Sequence, residues 1–283
     1  TTGGATNWLV GYRELGSTGG LTIVPAATNP FVLNGLLPSK TYELFVKDSC
    51  GTADVSEWIG PVNFATECGV ITAPWTEGFD SNRWVTGGGA TNAGDQIDSC
   101  WVRSTNTGIR WTTGTGGTPS NGTGPTGDRS GTGNYIYTEA SIGAGTVEIE
   151  SPSIYLPTLL TNPMLEYWYH MFGNAISSLS VQVSNGGAFV NIGTISGQQQ
   201  TGNNDAWRMD TISLSAYSGD TIIIKFVGVN TAFAGDISVD DVSIDGVIQC
   251  NDPTMVSISN IGSFGAQVNW TSGSSVSEIE VVS

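Results

Sequence analysis

Four aspartates have the chemistry of a binding site for a hard metal ion. Asp80 falls on the predicted first strand of a central β-rich unit, and Asp240 and Asp241 fall on its predicted last strand. Asp128 lies in a loop between them. The terminal strands of a β-sandwich often run side by side, which would bring these carboxylates together, and carboxylate oxygens suit Ca²⁺. Since the sequence has no D-x-D-x-D-G loop, turn capping by the same acids remains the alternative.

Catalytic chemistry is harder to find. His170 is the only histidine, and it lies in an alternating, aromatic-rich run that predicts a structural role. The sequence has no G-x-S-x-G elbow and no H-E-x-x-H motif. The Gly- and Thr-rich run 112–133 lacks the G-K-[ST] of a phosphate loop, and we expect it to lie outside the core. No acidic pair stands out as a glycosidase pair. We therefore expect no enzyme activity.

The composition favours a soluble scaffold of short strands. The chain has 283 residues, 39 of them glycine, and many Thr, Ser, Val and Ile residues, which together predict strands joined by turns. The net charge is −16 and the basic residues form no cluster, which argues against nucleic acid or an anionic membrane as partner. No run of about 18 apolar residues is present, so we expect no membrane insertion.

The amino-terminal unit, predicted at residues 1–67, alternates with a period of two. It contains the pattern L-x-P-x-x-x-Y, which ends at Tyr42 and is followed by alternating apolar residues. This pattern resembles the tyrosine corner of a fibronectin type III domain, where the tyrosine hydroxyl bonds back to the chain. A full domain of that family has seven strands. Compared with it, this unit has strands C to G and lacks the first two.

The end of the chain resembles those missing strands. Residues 250–283 predict two strands and the start of a third, and they align with the beginning of the chain when Thr271 is matched to Thr1. The sequence therefore predicts a tandem array with a period of roughly 270 residues. Each incomplete sandwich would expose half a core and bare sheet edges. We expect neighbouring repeats, or copies of the same chain, to complete them.

Residues 68–249 form the predicted central unit, and their motifs resemble those of a MAM domain. The family is an extracellular jelly-roll module of meprins, neuropilins and receptor tyrosine phosphatases. The matching segments occur in family order: 76–80 (TEGFD), 100–101 (CW), 123–128 (TGPTGD), 133–140 (GNYIYTEA), 150–152 (ESP), 165–171 (LEYWYHM) and 236–244 (DISVDDVSI). The predicted fold class is therefore all-β, a MAM-like jelly-roll sandwich between two incomplete fibronectin type III-like sandwiches.

The resemblance also implies a cation and a location. Some MAM domains bind a cation at a comparable position, which supports a structural Ca²⁺ with Asp80, Asp128 and Asp241 as the main ligands, and Glu77 and Asp240 as secondary ones. The combination of MAM-like and fibronectin-like units resembles secreted and surface proteins of gliding or polysaccharide-degrading Bacteroidetes. We therefore expect an extracellular or cell-surface protein.

The four cysteines form no C-x-x-C pair, and a zinc site is not expected. Sparse cysteines near domain edges fit disulfides in an oxidising compartment. Within the resemblance, Cys68 closes the first unit and Cys100 precedes a family tryptophan, so their pairing would fasten the linker to the second unit. Cys250 of one repeat is expected to pair with Cys50 of the next, with a Cys50–Cys68 bond as the alternative.

Aromatic residues offer a second possible role, sugar binding. Flat aromatic faces stack on pyranose rings while amides bond the hydroxyl groups. Trp111 stands between Arg110 and the polar run 112–133, and the Gln/Asn-rich loop 198–204 leads to Trp207. Trp111 with this loop is therefore the predicted ligand surface, against the alternative that Trp111 packs on loop backbone.

The sequence favours a non-catalytic structural or adhesive repeat unit of an extracellular adhesin or filament. The alternative is a carbohydrate-binding accessory module, with surface polysaccharide as ligand, that serves a hydrolase or peptidase encoded elsewhere in the polypeptide.

Overall fold

A computed structural model of the chain describes residues 6–38, 40–50, 55–89, 91–104, 109–120, 122–249 and 254–271. Strands dominate these ranges, and the helices within them are two single 3-10 turns, Ala140–Ile142 and Ser215–Tyr217. The predicted all-β fold is confirmed. None of the described helices is long and apolar enough to cross a membrane.

The amino-terminal part of the described chain forms one four-stranded antiparallel sheet. Its order is β2-β1-β3-β4, so the first strand pairs with both the second and the third. Val10 lies opposite Val24 and Val46, which gathers apolar side chains on one face because directly paired residues share a face. The strands are β1 (Trp8–Glu14), β2 (Thr22–Ala26), β3 (Thr41–Asp48) and β4 (Ile59–Ala65).

The contact expected of a tyrosine corner is present in this sheet. The Leu37 N–H donates to the hydroxyl of the buried Tyr42 at 3.0 Å. The Tyr42 ring also stacks on Phe64, with the ring centroids 5.8 Å apart. These contacts fasten the segment before β3 onto the sheet. The family of this unit and the domain boundaries given above stay predictions.

The central part of the described chain is a sandwich of two larger sheets. One has the order β14-β13-β16-β10-β7, with β11 beside β16 and β5 beside β11, and the other has the order β15-β12-β17-β9-β8, with β6 beside β17. The strands are β5 (Ile71–Thr72), β6 (Trp75–Glu77), β7 (Val102–Arg103), β8 (Trp111–Gly114), β9 (Tyr135–Thr138), β10 (Gly145–Glu150), β11 (Ile154–Tyr155), β12 (Leu160–Phe172), β13 (Ile176–Ser184), β14 (Val190–Ser196), β15 (Arg208–Ser213), β16 (Thr221–Asn230) and β17 (Asp236–Ile248).

The core between the sheets follows from alternation along the long strands. In β12, Leu165 and Tyr167 are buried while Glu166 and Trp168 on the opposite face are half-buried. Tyr167 meets Phe226 of β16 edge to face, with ring centroids 5.2 Å apart. Burying each such side chain contributes about 1.5–3 kcal/mol, so this two-residue period is the main source of the sandwich's stability.

β6, near the start of the sandwich, and its last strand β17 are neighbours, as expected for terminal strands. The prediction that Asp80 lies on the first strand is wrong, because β6 ends at Glu77. β6 pairs antiparallel with β17, and the register sets Glu77 opposite Val242 and Trp75 opposite Ile244. The acidic residues that follow β6 therefore lie beside the middle of β17.

The Gly- and Thr-rich run 112–133 differs from its prediction. Its first residues belong to β8, where Thr112 and Thr113 are buried at 0% and 1% exposure. The Thr112 hydroxyl donates to Asp95, and the Thr113 hydroxyl donates to the Gln96 carbonyl. The expectation that the whole run lies outside the core is wrong, because the loop around Asp95 covers the outer face of this strand.

The last described residues form a separate two-stranded hairpin of β18 (Thr254–Ser259) and β19 (Gln267–Thr271). Many of its apolar side chains are exposed, including Met255 and Phe264. The two predicted strands are thus present. Residues 250–253 and 272–283, with the predicted third strand, lie outside the described residues.

Candidate functional site

Two unusual backbone conformations prepare a cluster of acids beside the β6–β17 pair. Phe79, which follows β6, has a φ of 57°, and Asp241 in β17 has a φ of 42°, values that are uncommon for residues other than glycine. Between Ser243 and Asp240, β17 carries one residue more than its partner β12. In a regular strand Asp240 and Asp241 would point to opposite faces. The bulge instead lets both carboxylates approach the same loop.

Asp80 and Asp241 converge at Gly78. A Cβ atom at Gly78 would lie 3.4 Å from Asp241 Oδ1 and 3.5 Å from Asp80 Oδ2. Asp80 is further held by the Asn134 N–H, which donates to Oδ1 at 2.7 Å, and a Cβ at Gly133 would collide with this oxygen at 2.4 Å. Both glycines therefore leave room for the carboxylates.

Asp128 and Asp240 form a second pair in the same cluster. Asp128 accepts the N–H groups of Thr132 and Gly133, and Asp240 accepts the N–H of Arg129 at 3.1 Å. Burial, followed by the hydrogen bond with Asp128, raises the pKa of Asp240 to about 9. The pKa of Asp128 moves in the other direction. Burial by itself would raise it, but the hydrogen bonds with Asp240 and Ser130 outweigh burial and bring it below the usual range. The two carboxyl groups thus share one proton.

Arg129 supplies the positive charge of the cluster. Its Nε donates to Asp241 Oδ2, and its guanidinium lies 4.7 Å from the centroid of the Trp168 ring. The arginine therefore joins the acidic cluster to the aromatic surface of β12.

These residues test the predicted calcium site. The chemistry of the donors suits Ca²⁺, because carboxylate oxygens are hard ligands. Their arrangement fits it only in part. Asp80 and Asp241 approach one point, whereas Asp128 and Asp240 bond to each other. No group of three or more acidic, histidine or cysteine side chains is arranged to hold a metal among the residues that the structure describes.

Glu77, a secondary predicted ligand, faces a different environment. Its Oε1 accepts the Phe79 N–H at 2.7 Å, and its other neighbours are Trp84, Trp101 and Asp98. Burial raises its pKa to about 7. The structure thus brings four of the five predicted acids together and leaves Glu77 apart, because it shares the inward face of the strand pair with Val242.

A surface cleft of about 370 Å³ adjoins the acidic cluster. Trp168 and Trp207 line it together with Asn203, Asn204 and Asp205. Two residues of the predicted loop 198–204, Asn203 and Asn204, thus line a cleft with Trp168 and Trp207 and not with Trp111, and the sequence analysis missed Trp168. The sequence did contain a signal for Trp168, because it occupies one of the outward positions in the alternating pattern of β12. The many aromatic residues beside it obscured that pattern.

Trp111 is a correction to the predicted ligand surface. The residue is 0% exposed, its Nε1 donates to the Val147 carbonyl at 3.3 Å, and its ring packs near Gly228 of the opposite sheet. Arg110, which suggested an exposed position, is tied to Asp95 at 2.7 Å. Trp111 has no free face for a sugar ring and belongs to the core.

Among the predicted disulfide cysteines, Cys68 and Cys100 are joined by a bond, with their Cα atoms 5.4 Å apart. Cys50 is a free, exposed cysteine, so the alternative Cys50–Cys68 bond is not formed. Cys250 lies outside the described residues, and its pairing with Cys50 of another repeat stays a prediction.

Comparisons with known proteins agree with the geometry of the sandwich. Residues 92–251 match the model of the MAM domain, meprin/A5/mu. Neuropilin-1a of Danio rerio is 35% identical over 164 residues, which is 54% of this chain and 17% of that protein. Neuropilin-1 of Xenopus laevis is 28% identical over 156 residues, or 53% of this chain and 16% of that protein. The chain spans about a sixth of the length of these curated relatives.

Solved structures with related shapes are more distant. A cleaved adhesin domain of Lys-gingipain has a TM-score of 0.40 and 13% identity, covering 62% of this chain and 99% of that one. A family 11 carbohydrate-binding module from Clostridium thermocellum has a TM-score of 0.33 and 14% identity, covering 53% and 91%. Likenesses of this strength carry no conclusion about function.

Proposed function

The chain belongs to the MAM domain family, and from this premise we propose that it is a non-catalytic, extracellular structural and adhesive unit. Its finer role is that of a repeat in a surface adhesin or filament. The Cys68–Cys100 disulfide supports an extracellular location, because such bonds persist in oxidising compartments.

The state of the titratable groups supports a non-catalytic role. His170 is fully buried, and burial lowers its pKa to about 4, so the ring is neutral at physiological pH and out of reach of a substrate. The acids of the cluster beside β17 are bound to backbone N–H groups, to Arg129 or to each other. A general acid or base has to reach its substrate directly or through one water. The observation that carries the proposal is therefore that the polar groups of this MAM-family scaffold hold its loops in place.

The adhesive role is tested with microspheres coated with the full chain. We expect coated spheres to cluster with one another, or to adhere to polysaccharide surfaces, more than spheres coated with albumin do. Coated spheres that stay dispersed and attach to no surface would contradict the proposal.

The second candidate function is carbohydrate binding, and the cleft between Trp168 and Trp207 favours it. Aromatic faces beside the amides of Asn203 and Asn204 are the combination that sugar sites use. A glycan array measures this directly. Saturable binding that Trp168→Ala abolishes, and that Trp58→Ala, a change directly before β4, preserves, would establish the binding module in place of the purely structural unit.

We also propose that the acidic cluster binds Ca²⁺ through Asp80, Asp128 and Asp241. Binding would require Arg129 to leave Asp241 and the shared proton to leave the Asp128–Asp240 pair. The proposal is supported by two carboxylate pairs, Asp80 with Asp241 and Asp128 with Asp240, each containing one residue of the β17 bulge, whose charge one arginine and one proton neutralise only in part.

Calcium binding is measured as a change in melting temperature. At a Ca²⁺ concentration about 100 times the dissociation constant, binding to the folded state adds about 2.7 kcal/mol to the free energy of unfolding. We expect Asp241→Asn to remove this gain. Asp245→Asn, which changes an exposed acid on the same strand, should keep it. Identical melting curves of the native chain in Ca²⁺ and in EDTA would exclude the site.

A further inference from the structure

The carboxy-terminal hairpin has one apolar and one polar face. Ile258 lies opposite Val268, while Ser257 lies opposite Asn269 on the other side. Because side chains alternate along a strand, Trp270 extends the apolar face, and Val256 belongs to the irregular stretch of β18 between Thr254 and Ser257 that faces Trp270. These four apolar residues are all exposed, at 66% for Val256, 61% for Ile258, 52% for Val268 and 40% for Trp270.

The side chains on the polar face of the hairpin form hydrogen bonds with one another. Asn269 donates to the Ser259 hydroxyl at 2.9 Å, and Gln267 donates to Asn269 at 3.1 Å. The hairpin therefore has a defined outer side that suits water. Its other side carries apolar side chains like those of a buried face, but they are exposed to solvent.

A matching surface exists on the amino-terminal sheet. A groove of about 780 Å³ opens on the apolar face of this sheet, where Trp8, Val10, Leu44 and Val46 lie. Its lining is mostly apolar, and Ile59 at its margin is 76% exposed. A sheet of this kind needs a second layer over its apolar face to be stable in water.

One side of the groove is formed by residues 31–34, whose side chains alternate between half-buried and exposed as in a strand, although the segment pairs with no strand of the described chain. Phe31 and Leu33 line the groove and are half-buried, while Val32 and Asn34 point outward and are exposed. These residues belong to none of the sheets that the described chain forms. The segment thus offers a backbone edge next to an apolar groove, which is where an added strand can bind.

We propose that the hairpin β18–β19 of a second copy of this chain occupies the groove. The apolar face of the hairpin covers the β1–β3 surface, and β19 pairs with the segment at Phe31 and Leu33. A second layer of three strands is thereby formed. The inference rests on the proposed structural role and identifies its partner as another copy of the same chain.

Within one chain the two surfaces stay apart, since the hairpin side chains and the groove margin are both exposed in the same structure. Each copy therefore offers one hairpin and one groove. Two different surfaces that pair head to tail give a heterologous contact, which leads to a ring or to an open filament.

The experiment uses two variants of the 283-residue chain, each defective in one of the two surfaces. Val268→Asp places a charge on the apolar face of the hairpin, and Phe31→Asp places one in the groove without changing a sheet strand. We expect the native chain to form species heavier than the 29.5 kDa chain, with a mass that rises with concentration in analytical ultracentrifugation. Each variant alone should remain a single chain.

Mixing the two variants is the decisive measurement. One intact hairpin and one intact groove are then present on different molecules, so the mixture should form a 1:1 dimer of twice 29.5 kDa and nothing larger. Asn269→Asp is the matched control, because it adds the same charge to the polar face of the hairpin and should leave assembly unchanged. If Phe31→Asp alters the circular dichroism of the chain, Leu33→Ser replaces it in the mixture.

A native chain that stays single at every concentration would overturn the inference, including the case in which hydrogen exchange finds its hairpin protected by its own groove. A mixture that fails to dimerise would also overturn it. Attachment of coated spheres to polysaccharide surfaces is independent of both results, whereas clustering of the spheres with one another would also follow from assembly. Adhering spheres with a non-assembling chain would remove this inference and leave the adhesive role, whereas assembly without adhesion would do the reverse.

Discussion

At the scale of single residues, two buried carboxylates of the sandwich, Asp236 and Asp95, are held by partners from other segments of the chain. Asp236 is fully buried, yet it accepts the Thr123 hydroxyl at 2.8 Å and the Ala140 N–H at 3.1 Å. Asp95 is bonded to two arginines. A buried polar group without a partner costs about 1–3 kcal/mol. These contacts explain why so many polar loop residues are fixed in place.

His170 predicts a distinct pH dependence of stability. Its pKa is about 4 in the folded chain against an ordinary value of 6.5. The unfolded chain therefore binds the proton first, so the contribution is complete above pH 6.5 and is lost as the pH falls from 6.5 towards 4. We expect His170 to account for a loss of about 2 kcal/mol between pH 7 and pH 4.5.

Urea denaturation of the native chain and His170→Gln at these two pH values isolates this effect, because His170 is the only histidine. Carboxyl groups that titrate in the same range are common to both proteins and cancel in the difference. An equal loss of stability in the two proteins would show that the ring is not buried in its neutral form.

Asp95 predicts a large loss of stability on substitution. Its side chain is 4% exposed and bonds Arg103 and Arg110, and it also accepts the Thr112 hydroxyl at 2.9 Å. Asp95→Ala leaves two arginines without their carboxylate, and removing one partner of a buried pair costs about 3–5 kcal/mol.

Chemical denaturation compares Asp95→Ala with Glu14→Ala. Glu14 pairs with Lys40 at 2.8 Å, but both side chains are more than two-fifths exposed. An exposed pair contributes at most about 1 kcal/mol. Equal losses for the two variants would contradict the assignment of Asp95 as the centre of a buried network.

At the scale of elements, the two-residue period predicts the strands well. The neighbouring positions of β6 and β17 also follow from the order of the motifs. The bulge at Asp241 could not be predicted, because it depends on the register of β17 against β12 and not on the local sequence. The burial of Trp111 was missed for a similar reason. The loop around Asp95 covers β8, so residues on both of its faces are buried and the alternation disappears.

The disulfide between Cys68 and Cys100 fastens the segment before β5 to the loop before β7. The two cysteines are 32 residues apart. On the chain-entropy model a closed loop of this length stabilises the folded state by about 3.5 kcal/mol. We expect the double variant Cys68→Ser, Cys100→Ser to lower the free energy of unfolding by about this amount in urea.

Cys50, the free cysteine among the described residues, supplies the control for this measurement. Cys50 is exposed, so Cys50→Ser should leave the free energy of unfolding unchanged, and a reducing agent should lower the stability of the native chain but not that of the double variant. Insensitivity of the native chain to reduction would contradict a stabilising role for the bond.

At the scale of the whole molecule, the described chain contains one covered core and one open one. The central sandwich buries Ile149, Leu165 and Phe226 completely between two sheets. In the amino-terminal sheet, by contrast, Ile59 and Val62 remain exposed at 76% and 61%. Stability is therefore distributed unevenly, and the less stable part carries the groove in which we place the second copy.

This asymmetry predicts two unfolding transitions with different dependence on concentration. The sandwich should melt at a temperature independent of protein concentration, since its core is complete within one chain. The amino-terminal sheet should melt at a temperature that rises with concentration, because each tenfold increase in a saturating partner adds about 1.4 kcal/mol to its stability. Scanning calorimetry over a range of concentrations measures both. Val268→Asp should abolish the concentration dependence and lower the melting temperature of the amino-terminal sheet alone. A single transition of the native chain at a fixed temperature would instead mean that the sheet is completed within its own chain.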